Sequence, residues 1–159
     1  MSELILTPIS QPILTAFAVN NIPLKGILQQ TNEGYIYLKI DDQFIYSLFP
    51  LLQIKGKTLP PYFSEPYNIG AHISVIYKEE FQKSFEILKI EELGTLIHFD
   101  VTDLFRAKIN QKIFFALTIN SNALIKIRKK YGFSEKPVYH GIPVDWHITI
   151  ATGTFSSLA

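Results

Sequence analysis

The sequence predicts an α+β domain of two similar halves, with two antiparallel sheets around a central groove and helices outside. Three observations point to it. Two short stretches, Gly70-Ala71-His72-Ile73-Ser74-Val75-Ile76-Tyr77 and Asp145-Trp146-His147-Ile148-Thr149-Ile150-Ala151, share the order apolar, His, apolar, hydroxyl, apolar. Each follows a strand and then a helix, so the order strand, helix, His strand occurs twice with a hairpin between, which predicts a loose pseudo-twofold. With 47% apolar and 18% charged residues, the 159-residue chain has the composition and length of one folded domain.

Taken in order, residues 1–32 are ambiguous. Leu4-Ile5-Leu6 and Ile13 to Val19 each read as possible strands, punctuated by Pro8, Pro12 and Pro23, and the segment is expected as an N-terminal extension packed on a 33–153 core. Asn32-Glu33-Gly34 makes a turn into a strand at Tyr35 to Ile40, rich in aromatic and β-branched residues. Asp41 or Asp42 can cap a helix carrying Phe44, Ile45, Leu48 and Phe49, which Pro50 ends. Residues 53–69 form a loop with Lys55, Lys57, Tyr62 and Tyr67 as possible ligand contacts. After the first His strand, Lys78-Glu79-Glu80 predicts a helical turn. Phe85 to Leu93 and Thr95 to Val101 read as a hairpin about Gly94. Lys112 to Ile119 is a strand, and Asn120 or Ser121 caps a helix with Leu124, Ile127 and Tyr131 on one face and Gly132 at its end. A turn-rich stretch, Gly132 to Pro143, leads to the second His strand.

Charge and cysteine content narrow the function. The formal net charge of +1 predicts no strongly basic nucleic-acid surface; Lys126, Arg128, Lys129 and Lys130 instead suit the dipole at a helix C-terminus. No cysteine is present, which excludes disulfides, thiolate nucleophiles and cysteine zinc sites. The apolar run Pro12 to Val19 is too short to span a bilayer, and Ser2-Glu3-Leu4 does not resemble a secretory leader, so a cytoplasmic monomer without membrane contact is expected. No Gly-rich phosphate loop or G-x-S-x-G elbow occurs, and no cofactor is expected. His98 with Asp103 lacks metal-ligand spacing, so no metal is expected either, and His140 reads as a loop residue.

On an extended strand, alternate side chains share a face, so His72 lies with Ser74 and His147 with Thr149, while the intervening aliphatic residues face a core. Imidazole titrates near ~6.5, so one His can accept a proton while the other donates one, and two hydroxyls can hold non-bridging phosphate oxygens. Which His is acid and which is base stays open at this point.

The tetrads His72-Ile73-Ser74-Val75 and His147-Ile148-Thr149-Ile150, separated by 75 positions, resemble the paired H-x-[S/T]-x motifs of the 2H phosphoesterase superfamily, which includes LigT-like RNA 2′,3′-cyclic phosphodiesterases. The similarity in element order covers about residues 33–153. It implies a bilobal LigT-like fold and metal-independent cleavage of a cyclic or 2′,5′-linked phosphodiester in a nucleotide or short RNA. It further implies His72 and His147 as the catalytic pair and Ser74 and Thr149 as phosphate contacts. Tyr77, Tyr139 and Trp146 flank the motifs as base-stacking candidates. The chain departs from the family at its N-terminal extension and at Thr152, where LigT-like members often carry an arginine. Arg106, Lys78 and Lys136 are candidate substitutes for that charge. The alternatives are a non-catalytic nucleotide-binding module using the same groove, and a partner-binding domain in which residues 1–32 cover the groove or form a dimer surface.

Overall fold

A computed structural model describes residues 4–65, 68–84 and 89–154. In chain order the elements are β1 (Leu4–Ile9), α1 (Pro12–Asn21), β2 (Lys25–Gln30), β3 (Ile36–Ile40), α2 (Gln43–Tyr46), β4 (His72–Ile76), α3 (Lys78–Gln82), β5 (Leu96–His98), β6 (Asp100–Ile109), β7 (Lys112–Asn120), α4 (Asn122–Lys130), β8 (Val138–Tyr139), β9 (Ile142–Pro143) and β10 (His147–Thr154). Eight strands form one antiparallel sheet in the order β1-β6-β7-β10-β4-β3-β2-β5, and β8 and β9 form a separate small ribbon. The two expected sheets are therefore two four-stranded halves that meet where the His strands β10 and β4 pair, with Ile148 opposite Ile73. The halves mirror each other in strand order, each His strand being innermost.

One face of the sheet carries the main core. Leu14 and Ala18 of α1, Phe44 and Ile45 of α2, and Leu124 and Ile127 of α4 pack there against Leu28, Leu38, Ile73, Val75, Phe115, Leu117 and Ile148. Fully burying an aliphatic side chain of this size contributes roughly 1.5–3 kcal/mol, so the aliphatic residues between the motif positions anchor the motif strands. Ser121 caps α4 as expected, its Oγ accepting the Leu124 N–H at 3.3 Å, and Gly132 ends the helix at φ 85°.

Several elements differ from the sequence reading. Ile13 to Val19 is helical: Pro12 presets φ in the first turn, and Leu14 and Ala18 sit four apart on the buried side. Residues before 33 also enter the sheet itself, β1 pairing with β6 and β2 lying between β3 and β5. The expected hairpin about Gly94 does not form as drawn. Residues 85–88 fall outside the described residues, Glu91 to Gly94 make a turn, and Leu96–His98 pairs with β2 instead. Past Phe99 the chain enters β6, a ten-residue strand whose Thr, Asp, Arg and Lys residues dilute its alternation.

Arg128 departs furthest from expectation. It reads as part of an exposed basic run, yet its side chain is fully buried, donating to both Glu80 carboxylate oxygens at 2.9 and 2.6 Å, to the Val75 carbonyl at 2.9 Å and to the Ser134 carbonyl at 2.6 Å. This forked donor set ties α4 and α3 to the strand bearing His72. Lys129 and Lys130 are ion-paired at the surface with Glu135 and with Glu91 and Glu92. Removing one partner of a buried pair leaves the other desolvated and uncompensated, so Arg128→Ala is expected to lower the unfolding free energy by roughly 3–5 kcal/mol in urea titration, against less than about 1 kcal/mol for Lys129→Ala.

Candidate active site

The register of the central seam builds the site. With Ile148 opposite Ile73 on antiparallel strands, His147 lies across from Ser74 and Thr149 across from His72, all on the face away from the main core. Two imidazoles and two hydroxyls thus occupy alternate corners of one patch. Thr149 and His72 are each only 9% exposed, so this chemistry sits at the floor of the groove rather than on its rim.

Both histidines are held the same way. His72 Nδ1 donates to the Gly70 carbonyl at 2.7 Å, and His147 Nδ1 donates to the Asp145 carbonyl at 2.7 Å. A carbonyl can only accept, so Nδ1 carries a proton in each ring and Nε2, on the far side, is free to take or give one. Gly70 is required for this geometry: its φ is +68°, and a Cβ there would meet Asp42 Oδ1 at 2.3 Å. The Asp42 carboxylate accepts the Ala71 N–H at 2.9 Å and pairs with Lys39 Nζ at 2.6 Å, while Lys39 also donates to the Ala71 carbonyl at 3.1 Å. On the other side Lys136 pairs with the Asp145 carboxylate at 2.7 Å.

The surroundings of the two rings differ. Tyr62, Tyr37 and Tyr35 set their rings edge-on to His72 at centroid distances of 4.6, 5.9 and 6.2 Å, and Phe105 does so to His147 at 6.4 Å. Burial lowers the His72 pKa to about 4 against the opposing Gly70 hydrogen bond, and His147 and Lys39 lower it further. Burial also lowers His147, opposed by the Asp145 carbonyl and carboxylate.

The chain matches a family profile described as Swiss Army Knife, 2H phosphoesterase domain, over residues 36–154. It belongs to the 2H phosphoesterases. No curated protein and no solved structure matches it. The matched residues of this 2H phosphoesterase begin at β3 and end with β10, so both motif strands fall inside them and β1, α1 and β2 fall outside.

The remaining expected site residues of the 2H phosphoesterase separate by position. Tyr77 and Tyr139 come together, ring centroids 5.2 Å apart, because the β8–β9 ribbon turns tightly at His140 and Gly141, both with positive φ. Trp146 is corrected: it is 6% exposed within the main core, its indole N–H donating to the Glu135 carbonyl, so it offers no stacking surface. Arg106 lies opposite the core residue Phe115, on the face away from His147, and Lys136 is committed to Asp145. Lys78 pairs with Glu33. Thr152 bonds Thr58 through both backbone and hydroxyl, tying the 53–69 loop to β10. Tyr67 lies outside the described residues. His98 and Asp103 are on strands in opposite halves of the sheet, and no group of three or more His, Asp or Glu gathers as metal ligands among the described residues.

Tyr62, a loop residue expected as a possible ligand contact, does reach the site at His72, whereas Tyr35, Tyr37 and Lys39 escaped the sequence reading. These three alternate along Tyr35-Ile36-Tyr37-Leu38-Lys39, and the register sets Tyr37 opposite Ser74 and Lys39 opposite His72. The alternation was visible; the pairing partner was not.

The lowered pKa ties the site to stability. A histidine with a depressed folded pKa contributes stability that is fully present above its unfolded value and is lost as pH falls toward the folded one. Unfolding free energy is expected to drop by on the order of 3 kcal/mol between pH 7 and 4 on account of His72, and the drop should shrink in His72→Gln. Imidazole proton resonances followed against pH give the direct check: the His72 signal should move near about 4.

Proposed function

We propose that this domain hydrolyses a cyclic or 2′,5′-linked phosphodiester of a nucleotide or short RNA by metal-independent two-histidine acid and base catalysis. The observation that carries the reading is the matched pair of Nδ1-anchored imidazoles, each across the seam from a motif hydroxyl. In this scheme a diester phosphate sits between the strands and takes hydrogen bonds from Ser74 and Thr149 on its non-bridging oxygens.

The local charges divide the roles. Burial lowers the pKa of both imidazoles; in this scheme His72, with the Lys39 ammonium acting the same way, serves as base, and His147, where the Asp145 carboxylate opposes the lowering, serves as acid. A water molecule gives a proton to His72 Nε2 as its oxygen bonds to phosphorus. The phosphorus–oxygen ester bond breaks, and His147 Nε2 protonates the departing ribose oxygen. One water is added, and the two rings exchange protonation states, which solvent restores. The paired rings of Tyr77 and Tyr139, the latter 37% exposed, supply a stacking surface for a nucleobase. A net charge of +1 favours a small substrate over long RNA.

The test is turnover of 2′,3′-cyclic nucleotides, 2′,5′-oligoadenylate and cyclic dinucleotides in EDTA. Activity should persist with chelator, and His72→Ala and His147→Ala should each lower kcat by about 10²–10⁴-fold. Because the base must be neutral and the acid protonated in the free protein, kcat/KM should peak between about 4 and 6.5. Recovery of every bound nucleotide intact would replace this reading with the non-catalytic binding module, in keeping with threonine rather than arginine at position 152.

A further inference from the structure

We infer that Tyr35, assisted by Tyr77, is a positioning residue that turns the Ser74 hydroxyl proton toward the phosphate. The inference rests on the reading of Ser74 as a phosphate contact. Tyr35 OH lies 2.5 Å from Ser74 Oγ, and the Tyr77 ring lies beside that of Tyr35. The two phenol rings stack at 6.1 Å, so Tyr77 assists by holding the Tyr35 ring beside the serine.

The direction of the bond follows from counting protons. A serine hydroxyl has one proton to give and two lone pairs to accept with, and each phenol has one proton to give. If Ser74 donated to Tyr35, the phenol proton would need another acceptor, and Ser74 is the one hydrogen-bond partner of that hydroxyl among the described residues. A fully buried donor without an acceptor costs roughly 1–3 kcal/mol, and the partly buried Tyr35 hydroxyl would bear a share of that. If Tyr35 donates, its proton is used and Ser74 keeps its own for the groove, where the seam sets it across from His147. Burial raises the pKa of both phenols, so they remain donors throughout the working pH range. Thr149, in the other half, sits opposite Ala116 on its outer neighbour β7, whereas Ser74 meets the Tyr35 hydroxyl from the β3 side. The two motif hydroxyls are thus unequal, and the one beside His72 is preset.

A structural tyrosine and a positioning tyrosine differ in coupling. Affinity for adenosine 3′-monophosphate, measured by calorimetry at pH 5.5, is the probe. Ser74→Ala and Tyr35→Phe should each weaken binding by roughly tenfold, the loss of one hydrogen bond to a charged group, and the double variant should be no weaker than Ser74→Ala alone. Tyr131→Phe, whose hydroxyl serves Glu92, should bind as the wild type. Wild-type affinity in Tyr35→Phe, or losses that add in the double variant, would overturn the inference. If the affinities couple as stated while no diester is turned over, the phosphodiesterase reading fails and the orientation of Ser74 stands. A wild-type chain that binds no phosphate ester overturns both.

Discussion

Everything at the groove depends on one short stretch of strand pairing, β10 against β4. The side-chain period along a strand is two, so a slip of one residue at Ile148 and Ile73 would bury the histidines and expose the isoleucines. The main core prevents that slip. Ile73, Val75, Ile148 and Ile150 are all fully buried beneath the sheet, and their burial is what keeps both imidazoles and both hydroxyls on the other face. The same apolar residues that read as mere spacers in the motifs are the reason that the motifs meet.

A second constraint acts on the rings themselves. An imidazole on a strand is free to rotate and to choose a tautomer, and a carbonyl two residues earlier in the chain removes both freedoms. The two halves reach this by different local means. At His72 the carbonyl belongs to a left-handed glycine whose neighbouring peptide is clamped by Asp42 and Lys39. At His147 it belongs to Asp145, whose own carboxylate is held by Lys136. Lys39 acts to lower the His72 pKa and Asp145 to raise that of His147, so a pseudo-symmetric backbone carries an asymmetric field. Arg128 extends the bracing outward: its hydrogen bond to the Val75 carbonyl links the His72 strand to α3 and α4.

The outer rim of the site is aromatic on one side. Tyr35, Tyr37, Tyr62, Tyr77 and Tyr139 converge from β3, the 53–69 loop, the end of β4 and the β8–β9 ribbon. In the other half Phe105, Ala107 and Ala116 make a small apolar cluster beside His147. Phenols bring hydrogen-bond donors and flat surface without charge, which suits a site whose nearby lysines are already paired with aspartates.

The sequence by itself determined the two motif strands, the faces that their residues occupy, the helix after β7 and the family, because each rests on local periodicity, capping residues or adjacent positions. Four readings needed the folded chain. Arg128 sits in a run of cations and looks solvated, and only the approach of Glu80 from 48 positions away explains its burial. Trp146 flanks a motif and looks like a stacking platform; alternation puts it on the face of Ile148, and only the packing of that face shows it enclosed in the core. Thr95 to Val101 reads as one strand, and only the demand for partners at two distant sheet positions divides it between β5 and β6. Tyr35 looks like any strand tyrosine, and only the pairing of β3 with β4 brings its hydroxyl to Ser74. Local alternation decides which face a side chain takes; what waits on that face is decided by strand pairing between segments far apart in the chain, and no short stretch of sequence encodes it.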